Sequence, residues 1–161
     1  MIVSNSSPII TLGKIGRLNL LKKCFGTVTI PRGVHDEVMR KENSPEAAAL
    51  KAAISEKWIT VEKASISPLL TDAGLGEGEK EAVSIAAASK TMLLIDDDHA
   101  KAYASLLNVE AHGTLHAIYL AYFKRLISKS EAISIIKDMI TNGSYISTEL
   151  YAKFLELLNL N

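Results

Sequence analysis

Four apolar residues, Met92-Leu93-Leu94-Ile95, run directly into three aspartates, Asp96-Asp97-Asp98. A run this short, this apolar and this sharply ended reads as a strand buried on both faces. Alternating with helical patterns along the chain, such short apolar runs are the signature of a mostly parallel sheet covered by helices. This run also delivers carboxylates to one edge of that sheet.

The rest of the chain fits this frame. Residues 1–3 read as a first strand ended by an Asn5-Ser6-Ser7-Pro8 turn, after which Ile9, Leu12 and Ile15 begin a helical stripe that Leu18, Leu20 and Leu21 carry past Gly16. Residues 28–30 read as a second strand. Pro31 then sits where a helix starts, with Val34 and Val38 on its inner face. Ser44-Pro45-Glu46 opens the next helix with an N-cap, a first-turn proline and a first-turn carboxylate, and residues 58–61 read as a short strand. From Glu79 a helix carries Ala82, Ile85, Ala86 and Ser89 on one stripe; beyond Asp98 another runs through Ala100, Ala104 and Leu107. A short segment at 109–111 and a helix over 114–123 follow. Ser128 and Glu131 form a capping-box pattern before Ile133, Ile136 and Ile140, Asn142-Gly143 ends that helix, and Ser147 opens the last one through Leu158. The expected fold class is α/β, three layers α/β/α around a small mostly parallel sheet, in one domain over residues 1–161.

The formal net charge is zero, but the charges are unevenly placed. Residues 1–41 carry seven basic side chains against Asp36 and Glu37, whereas residues 42–98 carry five basic and eleven acidic ones. A basic first quarter and an acidic middle suit a site with a cation at its centre and a phosphate backbone at its rim. Cys24 has no second cysteine to pair with, the opening MIVSNSSPII lacks the pattern of a secretory signal, and no apolar run approaches the ~20 residues of a membrane span. A cytoplasmic protein without a membrane role is expected.

Three carboxylates acquire meaning from their positions. Glu37 lies three residues after Val34 and so borders the apolar face of its helix. Glu79 lies three before Ala82 on the inner stripe, and Asp97 follows the strand at 92–95. Ligands of open α/β sheets bind at the carboxyl ends of strands, where the first strand also brings Asn5 and Ser7. Carboxylates crowded at one point repel unless a cation sits among them, and oxygen ligands favour a hard divalent ion, Mg²⁺ or Mn²⁺.

The ordered set N-S-S-P-I-I at 5–10, V-x-x-E-V at 34–38, G-x-G-E-x-E-A at 76–82, L-L-I-D-D at 93–97, G-T-L at 113–115 and I-S-T-E-L-Y at 146–151 resembles PIN domains, and more narrowly a prokaryotic branch related to the VapC-like toxins. The resemblance implies a metal-dependent endoribonuclease acting on RNA, a homodimer, and restraint by a small antitoxin protein. On its pattern Glu37, Glu79 and Asp97 are the metal ligands, and Asn5 joins them at the catalytic centre in place of the family's first aspartate. Ser7, Asp96 and Thr114 are supporting groups. Because Asn5 brings no charge, a second reading stays open: a catalytically weakened PIN-fold module that binds RNA or a protein partner.

Other motifs point elsewhere and fail. Gly74 to Lys80 lacks the spacing of a phosphate-binding loop. His112 and His116 need a further ligand to hold zinc. Cys24 beside Phe25 reads as a small buried hydrophobe, and Tyr119, Tyr122 and Phe123 as core. The apolar end Leu155-Leu157-Leu158 is the expected surface for a second copy or an antitoxin.

Overall fold

A computed structural model describes residues 1–159. Strands β1 (Ile2–Ser4), β2 (Val28–Pro31), β3 (Ile59–Glu62), β4 (Leu93–Leu94) and β5 (Ala111–His112) form one sheet in the order β3-β2-β1-β4-β5. Every pairing is parallel. The chain builds outward from β1 to β2 and β3, then crosses back to place β4 on the other side of β1. That reversal makes the β1/β4 boundary a topological switch point, where crevices form outside the carboxyl ends of strands.

Period-two alternation explains the layers. Leu94 packs into a core with Ile2, Val28, Ile30 and Ile59, whereas its neighbours Leu93 and Ile95 join Val3 in a second core on the opposite face. The first core is closed by α1 (Ser6–Lys14), α2 (Asn19–Phe25), α3 (Arg32–Met39) and α4 (Pro45–Ser55), the second by α5 (Glu77–Ser89) and α6 (Asp98–Leu106). A third cluster joins α2 to α7 (Thr114–Phe123), α8 (Lys129–Thr141) and α9 (Thr148–Asn159) through Leu20, Ile118, Ile135 and Phe154.

Several sequence expectations need correction. The expected turn at residues 5–8 is the start of α1, with Pro8 in the first turn, where its missing N–H breaks no intrahelical bond. The helical stripe does not continue past Gly16; the chain turns there at φ +68°, and α2 begins afresh at Asn19. Phe123 is 59% exposed rather than core. Leu158 is buried beside Phe154, which leaves Leu157 as the most exposed of the three leucines expected to face a partner. Cys24 is buried, and its thiol pKa is raised by that burial.

Candidate functional site

The parallel topology brings the starts of α1, α3, α6 and α7 to the carboxyl edge of the sheet, since each follows a strand. Helix starts present unpaired N–H groups and attract negative charge. Carboxylates meet three of these four starts and that of α5 as well. Glu79 turns back on its own helix, where Oε2 accepts the Gly76 N–H at 2.9 Å. Asp97 caps α6 by accepting the Ala100 N–H at 2.7 Å. Glu81 reaches across to α3 and accepts the Gly33 N–H at 2.8 Å. Asp96 reaches to α7, where its two oxygens accept the backbone N–H and the hydroxyl of Thr114, both at 2.7 Å.

Close approach makes two of these contacts possible. A Cβ on Gly113 would lie 2.8 Å from Asp96 Oδ1, and one on Gly33 would lie 2.7 Å from Glu81 Oε2. The short glycine edge therefore admits a carboxylate in each case.

The start of α1 is different. Asn5 occupies its N-cap position, is 2% exposed, and makes no side-chain cap bond. An N-cap oxygen normally accepts from the second or third helical N–H, and the third residue here is Pro8, which has none. Asn5 Oδ1 is left buried and unpartnered. A buried acceptor without a partner costs about 1–3 kcal/mol unless something arrives to satisfy it. Asn5 N–H bonds to the Leu94 carbonyl at 3.0 Å, so this idle oxygen belongs to a residue at the β1/β4 switch point.

Glu37, Glu79 and Asp97 were expected to share one cation, but among the described residues no three His, Cys, Asp or Glu side chains gather as a metal-holding group. Local donors explain the dispersal, because Glu79 and Asp97 each fold onto a nearby helix start. Glu37 stands exposed on α3, one turn beyond Gly33, and therefore on the side of α3 that meets Glu81. Asp96, expected only as support, faces the neighbouring cleft together with Asp98, Ser7 and Thr114.

Glu81 was missed. Its signal was its place in Gly-Glu-Lys-Glu: Glu79 and Glu81 lie about 200° apart around the helix, so only one can face α3.

Beside the switch point a cleft of ≈ 680 Å³ runs between the start of α7 and the α8–α9 connection, with Ser7, Asp96, Lys101, His116 and Tyr145 among its lining. The rings of His112 and His116 stack at 3.8 Å, and His112 Nε2 lies 2.8 Å from Glu110 Oε1. The His112 contact holds the Glu110 carboxyl below its ordinary pKa, while burial, aided by His112, lowers that of His116.

The donor set fits a hard divalent cation in kind. It contains a buried, unsatisfied amide oxygen, a hydroxyl and carboxylates, all oxygen donors.

A comparison with curated proteins returned no match. Among solved structures the chain is similar to a PilT N-terminus domain protein from the hyperthermophilic archaeon Sulfolobus solfataricus P2, with 16% identity and a TM-score of 0.49, over 72% of this chain and 88% of that one. The DUF3368 family model, a PIN domain, matches residues 1–160. The match spans the sheet, its acidic edge and the helices that follow, and the chain belongs to the PIN domain family.

Proposed function

We propose that this chain is a divalent-metal-dependent endoribonuclease. The observation that carries the reading is the buried, unpartnered Oδ1 of Asn5 at the switch point, an acceptor for which the fold supplies no donor. Asn5, Glu37, Glu79 and Asp97 would hold Mg²⁺ or Mn²⁺ once Glu79 and Asp97 leave the helix starts that they cap, while Asp96 stays on Thr114 as a support and Glu81 positions α3. The cation supplies a polarised phosphate and an activated water when bound. The protein's own contribution is placement: Thr114 fixes Asp96 through two hydrogen bonds, and Ser7 offers a hydroxyl to the substrate from the first turn of α1.

The test is cleavage of single-stranded RNA with Mn²⁺, with EDTA, and with Asp96→Asn and Glu37→Gln. The reading expects loss of turnover in EDTA and a large loss in both variants. Turnover that survives chelation would sink it.

A weakened module that binds RNA without cutting it is the second reading. It is favoured by the neutral Asn5 and by the absence, among the described residues, of a three-carboxylate group. RNA binding without turnover would select it. In either reading the resemblance supplies a small antitoxin or a second copy as partner, and the exposed Ile140, Leu150 and Leu157 supply apolar surface for it. Sedimentation that shows a monomer at high concentration, with no co-purifying protein, would remove that part.

A further inference from the structure

We propose that the ≈ 680 Å³ cleft beside the β1/β4 switch point is a subsite for one unpaired base of single-stranded RNA, with Tyr145 as its stacking face. The proposal rests on the ribonuclease reading and specifies which part of the substrate that site holds.

Tyr145 is 92% exposed at the edge of this cleft, whereas Tyr103, Tyr119, Tyr122 and Tyr151 are all partly buried. A ring left almost wholly in water beside a cleft of mixed polar and apolar lining has both faces open to a planar partner, and single-strand binders stack bases on aromatic rings of this kind.

Charge decides which part of a nucleotide enters. Asp96 and Asp98 line the cleft against one basic side chain, Lys101, whose Nζ is already 2.9 Å from Asp98. With Asp98 paired to Lys101, the lining keeps the single net negative charge of Asp96, which disfavours phosphate. A nucleobase is neutral and meets no such barrier. The hydroxyls of Ser7 and Thr11 and the ring of His116 supply donors and acceptors for its edge.

Size agrees with this choice. Small-molecule sites run from about 300 to 1,000 Å³, so the cleft has room for a nucleoside-sized group. Paired bases stay stacked inside a duplex, and a base must be splayed out to enter. Ser7 and Asp96 line the cleft and also stand next to Asn5 and β4, so a base seated here leaves its phosphate at the switch point, outside the acidic lining.

The experiment is anisotropy of a short labelled single-stranded RNA, with Ca²⁺ in place of Mn²⁺ and a gel to confirm that the RNA stays intact. It compares the full chain with Tyr145→Ala and Tyr145→Trp. Loss of a stacking face should weaken binding roughly tenfold or more in Tyr145→Ala, whereas Tyr145→Trp should stay close to the unsubstituted protein. The thermal midpoint of Tyr145→Ala should not move, since the ring is exposed. A duplex of the same sequence should bind less tightly and respond little to either substitution. If the unsubstituted chain binds the single strand and Tyr145→Ala binds it equally well, the subsite is overturned and the ribonuclease reading stands. If the unsubstituted chain binds no RNA, both fall together.

Discussion

Two acidic runs at the same sheet edge, Gly78-Glu79-Lys80-Glu81 and Asp96-Asp97-Asp98, divide their labour in the same way but with unequal strength. In each, one carboxylate serves the nearest helix start and another crosses to the start of a different helix. The crossings differ. Glu81 holds α3 through one backbone N–H, whereas Asp96 holds α7 through an N–H and a hydroxyl of a threonine that is 2% exposed. The β4 side of the crevice is therefore the firmly built wall, and the α3 side, with Glu37 exposed on it, is the wall with more freedom to adjust around a ligand. Asn5 lies between them and is bonded to neither through its side-chain oxygen.

The largest test acts on that middle position. Asn5→Asp puts an unpaired charge at a buried point, which should cost about 3–5 kcal/mol in metal-free protein, less up to ~1 kcal/mol from the dipole of α1. Burial raises the folded pKa of the new carboxyl, so its penalty is absent below about pH 4, where both states are protonated, and grows as pH rises through the folded value. Mn²⁺ should then stabilise this variant more than the parent, and raise any turnover. Thermal melts across pH, with and without Mn²⁺, decide it. Equal metal response in the two proteins would place position 5 outside the coordination sphere.

Asp96→Ala comes next. It strips two donors of a buried threonine of their acceptor; hydrogen bonds to charged groups are worth about 1.5–3 kcal/mol each, and because Asp96 is exposed, solvent screening lowers the expected net loss for the two to about 2–4 kcal/mol. Urea denaturation measures it. A loss below about 0.5 kcal/mol, the scale of an ordinary surface substitution, would mean that the β4 wall is no firmer than the α3 wall.

The weaker crossing is open to a double-mutant cycle. Gly33→Ala pushes a Cβ to 2.7 Å from Glu81 Oε2, so it should destabilise the parent by roughly 1 kcal/mol. In a Glu81→Ala background the crowding atom is gone, and alanine should be favoured over glycine in the helix by up to about 1 kcal/mol. The coupling between the two sites should therefore be about 1–2 kcal/mol. Additive effects would show that Glu81 does not clasp α3 in solution.

These tests fall where the sequence was least legible. Period-two and helical patterns sufficed for the strands, because Leu93, Leu94 and Ile95 alternate between two cores and the sequence carries that alternation openly. They could not choose Asp96 over Asp97, or show that Glu81 as well as Glu79 has a structural task. Neighbouring carboxylates have the same chemistry, and their division of labour depends on where Gly33 and Thr114 lie once the chain is folded. The proline at residue 8 was visible, but its effect on Asn5 was hidden as long as residues 5–8 read as a turn rather than a helix start.

The smallest effect separates the cleft from the crevice. His116 lines the cleft, and its pKa is lowered, first by burial and then by His112, with Glu110 opposing. A histidine whose folded pKa lies below its unfolded value costs nothing while neutral in both states. As pH falls below about 6.5 the unfolded chain takes the proton first, so stability declines until the folded pKa is passed and then levels off. His116→Gln keeps a polar side chain in the lining and should flatten that acid-side slope without changing stability at pH 8. Chemical denaturation between pH 5 and 8 on the two proteins makes the comparison. An unchanged slope would mean that the proton uptake belongs to another histidine, and that the cleft wall at His116 is as wet as the open surface.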